Sequence, residues 1–135
     1  MEKQVIPNHK IKVPKNPIKE MFSRQLAFEK KLGNTKTVAA GETFTPETLT
    51  HLKEMLLAIN VETCEALDQI PGWKSWSRKP ALLTKEARWE YLNELVDVMH
   101  FMINASLIVG CTADEFVYMF FNKQHENKER QKRGY

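Results

Sequence analysis

The stretch TPETLTHLKEMLLAINVETCEALDQIPG, residues 45–72, decides the fold. Thr45-Pro46-Glu47 is a helix start: a hydroxyl cap, a proline whose missing N–H is no loss in the first turn, and an acid near the positive end of the helix dipole. Leu52, Met55, Leu56, Ile59, Ala66 and Ile70 then recur at helical spacing, and Pro71-Gly72 ends the run. One position breaks the stripe. Near residue 62 an apolar side chain is due, and the chain supplies Glu62, with Glu65 one turn later.

Outward from this segment the same punctuation recurs. Asn16-Pro17 opens a helix that stops near Gly33, and Thr84 opens another that lasts to Gly110. Thr112-Ala113-Asp114-Glu115 is a capping box that opens a last helix through Phe116, Val117, Met119, Phe120 and Phe121. Residues 33–44, and the segment from Trp73 and Trp76 to Pro80, read as loops. No segment alternates with period two, and there is no internal repeat. The expected architecture is all-α with a four-helix core, one domain over residues 17–135. An extended basic arm precedes it at 1–16, where Pro7 and Pro14 sit among lysines.

A chain of 135 residues makes room for one core without disulfide staples. Its net charge of +3 conceals an uneven distribution. Residues 1–19 carry five lysines against one acid and residues 122–135 five bases against two acids, which leaves ten bases and fourteen acids between. An acidic body repels a long polyanion, so polymeric nucleic acid is not an expected partner. The longest apolar stretch, residues 95–109, is interrupted by Asp97, His100 and Asn104 and falls short of the ~20 residues that span a bilayer. Lysines interrupt the N-terminus, so neither a membrane partner nor a signal sequence is expected. Cys64 and Cys111 read as small buried residues of a reducing compartment, which implies a cytoplasmic location.

The helix after Thr84 repeats the acidic interruption with Glu94 and Asp97, again three apart and surrounded by Leu95, Val96, Val98 and Met99. Carboxylates at i and i+3 converge on one point. Four of them in apolar surroundings cannot all ionise without a compensating cation. An all-oxygen donor set favours Mg²⁺, with Mn²⁺ as substitute, over zinc. A di-iron centre wants two Glu-x-x-His motifs; no histidine follows Glu62 at that spacing, and His100 reads as a hydrogen-bonded core residue. Gln25 shares the apolar face of Ile18, Met21, Phe22 and Phe28. It is either an amide tied to neighbouring backbone or a recognition group with donor and acceptor together. In the last helix the stripe through Phe116 and Phe120 continues as Lys123, Asn127 and Arg130. That is either a helix leaving the core or a row of donors for phosphate oxygens. Carboxylates, a hard cation and a basic row together suit a phosphorylated small molecule.

The string Glu62-Thr-Cys-Glu65, the element Trp73-Lys74-Ser75-Trp76, Glu94-Leu-Val-Asp97 followed by His100-Phe101, and the ending from Asn127 through Arg130-Gln131 to Gly134-Tyr135 resemble the dimeric dUTPase family. That family belongs to the all-α NTP pyrophosphohydrolase superfamily, with the MazG-like enzymes, and the resemblance runs from about Met21 to the C-terminus. The paired acidic motifs are common to the superfamily; the tryptophan element, the His-Phe pair and the ending are narrower. The resemblance implies an all-α NTP pyrophosphatase core and Mg²⁺-dependent hydrolysis of dUTP to dUMP and pyrophosphate. By the same resemblance Glu62, Glu65, Glu94 and Asp97 bind the metal, and one of Glu62 and Glu65 orients the attacking water. Gln25 would contact uracil, Lys74 and Trp76 the sugar or phosphates, and Lys123, Asn127 and Arg130 the phosphate oxygens. A homodimer or higher homo-oligomer is implied. Two alternatives stand beside this: the same chemistry on another nucleotide such as dCTP, and a non-catalytic helical interaction module. Four acids that are costly to bury argue against the module.

Overall fold

The computed structural model describes residues 11–134. Most of the arm expected at 1–16, and Tyr135, therefore lie outside the described residues. Four helices follow one another, with no strand among the described residues: α1 Pro17–Lys31, α2 Pro46–Asp68, α3 Lys85–Ile108 and α4 Ala113–Arg133. Every expected cap forms. Asn16, Thr45 and Thr84 each accept from the backbone N–H three residues on. At α4 the capping box is reciprocal, with the Glu115 N–H donating to the Thr112 hydroxyl and the Thr112 N–H to the Glu115 carboxylate.

The principal packing is α2 on α3, and α1 lies across α3 and α4. The hydrophobic centre is small. Phe22, Ile103 and Ala113 form it, joined by Ile18, Met21, Met99, Leu107 and Phe116, and the Phe22 and Phe116 rings meet tilted at 5.6 Å. After α1 the chain is tied to the end of α3, because the Val38 N–H donates to the Ile108 carbonyl at 2.8 Å. The α2–α3 connection turns at Gly72, whose φ is +78°, and a Cβ there would stand 2.7 Å from the Ala81 Cβ. Only glycine fits both the angle and the approach.

α4 departs from α3 with a bend of 110° rather than folding back along it. This corrects the expected inward stripe: Ala113 and Phe116 reach the core, but Phe120 is 59% exposed and Tyr118, Met119 and Phe121 are open beside it. In the last turn of α1 the residue that faces inward is Glu29, not Phe28, which is exposed. Leu56 and Cys64 lie on the outer face of α2 and are exposed as well, so the expectation of two buried thiols fails at Cys64. In each case periodicity marks a face as apolar, but one chain has too few elements to cover every such face. No single helix among the described residues is long and apolar enough to cross a membrane.

Replacing Ile103, 2% exposed, with alanine removes contacts at the centre of the core and is expected to cost about 2–5 kcal/mol. Phe28→Ala on the open face is expected to cost less than about 1 kcal/mol; urea denaturation of both variants checks the contrast.

Candidate active site

The α2–α3 seam carries the acids. Glu62 occupies the position on α2 where the stripe turns toward α3, one turn before the buried Ala66, 3% exposed. Carboxylate oxygens of Glu62, Glu65 and Glu94 come within 4.8 Å of one another. Oxygens around one hard divalent cation, each about 2.1–2.5 Å from it, have separations of that size. Asp97 is the fourth expected member and stands slightly apart. Its Oδ1 meets His100 Nδ1 at 3.3 Å, yet its charge still reaches Glu62 and Glu94.

The expectation that all four are buried is corrected. Glu65 is exposed, and Glu62, Glu94 and Asp97 are half-buried, because the acidic edge of the seam faces solvent. Partial desolvation still acts. It raises the Glu62 carboxyl above its ordinary value, and the neighbouring charges of Glu65, Asp97 and Glu94 add to it. Glu94 is raised in the same way, by desolvation first and then by Glu65, Asp97 and Glu90. His100 is half exposed rather than a core residue.

Beside the acids, α1, α2 and α3 line an open-sided cavity of about 520 Å³. Gln25, Phe28, Met55, Asp97, Phe101 and Asn104 line it, so the structure brings Gln25 to the acidic site, with Asp97 belonging to both. The other expected contacts are not gathered there. Lys74 and Trp76 line a separate cavity within residues 68–84, where Lys74 Nζ sits 5.4 Å from the Trp73 ring centroid and the two indoles meet edge to face. Lys123 and Asn127 line a groove drawn from α4 alone, Lys123 is paired with Glu126 at 3.2 Å, and Arg130 is exposed beyond it.

A polar set built on the buried Glu29 and Asn104, at the wall of the cavity, has no counterpart in the sequence analysis. Glu29 Oε1 accepts from Asn104 Nδ2 at 3.1 Å, Glu29 Oε2 accepts from Asn34 Nδ2 at 2.9 Å, and His51 Nε2 stands 3.7 Å from it. The available signal was spacing: Asn104 lies seven residues after Asp97, two turns along the same face of α3.

A carboxylate raised in the folded state holds its proton more tightly than in the unfolded chain, so stability falls as pH climbs through and above the ordinary carboxylate value of 4.5. Glu47, lowered chiefly by a backbone hydrogen bond, acts in the opposite sense. The difference between wild type and Glu62→Gln is therefore the clean readout. In metal-free buffer the variant is expected to gain thermal stability over wild type from pH 4 to pH 7, and a constant difference across that range would contradict the assignment.

Comparison with known proteins addresses the family. The dUTPase family model matches residues 17–116, which takes in all four acids and Gln25. A dCTP pyrophosphatase of Enterobacteria phage LZ5 is 35% identical over 71 residues, covering 47% of this chain and 41% of the relative. A dCTP pyrophosphatase of Enterobacteria phage T4 is 31% identical over 71 residues, covering 47% and 42%. The chain spans less than half the length of these curated relatives, and no solved structure gives a significant match. With its match running from the first turn of α1 to the first turn of α4, the chain belongs to the dUTPase family.

Proposed function

We propose that this chain is a Mg²⁺-dependent nucleoside triphosphate pyrophosphohydrolase whose substrate is dUTP. The observation that carries the reading is the convergence of Glu62, Glu65 and Glu94 at the edge of a nucleoside-sized cavity. The family supports dUTP, while the two phage relatives, both dCTP pyrophosphatases, support dCTP as the second reading.

The donor set suits a hard cation: three carboxylates from two helices, two of them with raised proton affinity in its absence. Mg²⁺ bound there would neutralise phosphate charge and acidify a coordinated water. The protein's own part is positional. Glu62, Glu65 and Glu94, with Asp97 behind them, would hold the cation that takes the phosphate end of the substrate, and Gln25 meets the base across the cavity. One of Glu62 and Glu65 takes the proton of the attacking water. Water adds to phosphorus, the α–β phosphoanhydride bond breaks, and pyrophosphate leaves. Lys74, Trp76, Lys123, Asn127 and Arg130 supply sugar and phosphate contacts only if those elements approach the site when substrate or a second chain is bound.

A second copy is the proposed cover for the open apolar faces. Tyr118, Met119, Phe120 and Phe121 on α4, and Leu57 and Val61 on α2, are large apolar side chains left exposed, the kind of surface that a second subunit covers.

Pyrophosphate release from dUTP, dCTP, dTTP and UTP with Mg²⁺ is the direct test. Glu65→Gln is expected to lower turnover by about 10²-fold or more without unfolding the chain. If no triphosphate is hydrolysed with Mg²⁺ or Mn²⁺, the enzymatic reading falls and the non-catalytic helical module takes its place. Light scattering at micromolar concentration is expected to give a dimer or larger, reduced by Met119→Glu with Phe120→Glu. A monomeric wild type would refute the proposed assembly.

A further inference from the structure

Asn104 Oδ1 is the one buried side-chain polar atom without a hydrogen-bond partner among the described residues. Native chains leave few such atoms, and each calls for a cause. Asn104 is 4% exposed and lines the cavity that holds Gln25 and Asp97. Its amide orientation is not free. A carboxylate can only accept, so the Asn104 NH₂ group must face Glu29, as the 3.1 Å contact shows. Glu29, 8% exposed, is held in turn by the Asn34 amide, with His51 Nε2 3.7 Å away. The carbonyl end of Asn104 is thereby left as an acceptor with a set direction.

We propose that Glu29 locks the Asn104 carboxamide so that Oδ1 is a specificity-determining acceptor for a pyrimidine base. It would receive a base N–H, either the N3–H of uracil or the 4-amino group of cytosine. The inference rests on the nucleotide reading above and deepens it. Asn104 is the contact residue and Glu29 a positioning residue. The oxygen is closed to solvent, so a base reaches it by displacing a lining side chain. Met55, whose Sδ lies 3.7 Å from Asn104 Nδ2, is unbranched and suited to move. A polar group so enclosed discriminates strongly, because a ligand that cannot pair with it leaves it unsatisfied.

The test is binding, independent of turnover: affinities of the non-hydrolysable α,β-imido analogues of dUTP and dCTP, with tripolyphosphate as the base-free control, all with Mg²⁺. Asn104→Leu removes the acceptor and is expected to weaken the preferred analogue about tenfold or more, with tripolyphosphate unchanged. Glu29→Gln is nearly isosteric and lets residue 29 donate, so Asn104 can turn its NH₂ group toward the cavity. With the carboxamide reversed, the acceptor becomes a donor, and the dUTP-to-dCTP analogue affinity ratio is expected to shift about tenfold. The analogue preferred by wild type identifies which base donor Oδ1 receives. Should Asn104→Leu fail to fold by circular dichroism, the Glu29→Gln ratio decides alone. An unchanged ratio, equal weakening of analogue and tripolyphosphate, or no analogue binding by wild type would overturn the inference. Wild type that binds the analogues with an intact ratio shift yet releases no pyrophosphate would sink the catalytic reading and leave this one standing.

Discussion

Packing α2 against α3 requires like charges to meet, and the rest of the molecule is arranged around that requirement. The seam is the most extensive helix–helix contact among the described residues, and its apolar residues, with Ala66 buried, draw the helices together. The same register places Glu62, Glu65 and Glu94 within reach of one another. Hydrophobic burial thus works against electrostatic repulsion at one end of one interface. Opening the acidic edge to solvent moderates the conflict, since water screens charges that a closed core would not. Positive charge delivered to that edge would relieve it further.

α1 is held differently. Phe22 contributes apolar packing against Ile103, but two turns later the inward position is a carboxylate, Glu29, bonded to Asn104 of α3 and Asn34 of the following loop. Apolar contact tolerates small rotations of a helix; a hydrogen bond between a carboxylate and an amide does not. The polar contact fixes the rotation of α1 on α3, and with it the position of Gln25 one turn before Glu29. Fold and cavity therefore share a single constraint: the groups that set the angle of α1 also form part of the cavity wall.

The helix boundaries were legible because each depends on one or two residues and their nearest neighbours. Asn16, Thr45, Thr84 and Thr112 cap as their spacing implies, and Gly72 turns the chain where Pro71-Gly72 ends the stripe. Glu62 with Glu65 and Glu94 was legible too, since carboxylates at apolar positions stand out against the period. Burial was not legible. Phe28, Phe120 and Cys64 satisfy helical spacing yet stay open, because coverage depends on elements that no local pattern records. The Glu29–Asn104 contact joins residues 75 apart. Neither residue signals the other, and an amide in an apolar helix looks the same whether it faces a carboxylate, a ligand or water.

The open side of α2 also provides a reporter. Cys64 follows Leu57 and Val61 along that face, between the two glutamates of the acidic cluster in sequence, and it is exposed. Cys111, the other thiol, is partly buried, its proton affinity raised by desolvation, and its Sγ lies 3.4 Å from the Thr112 carbonyl. Thiolate is the reactive form, so the two differ in alkylation rate by environment alone. The natural sequence consequently carries a selective labelling position. The protection of Cys64 from a maleimide, followed against protein concentration, is a footprint of whatever comes to rest on that face of α2.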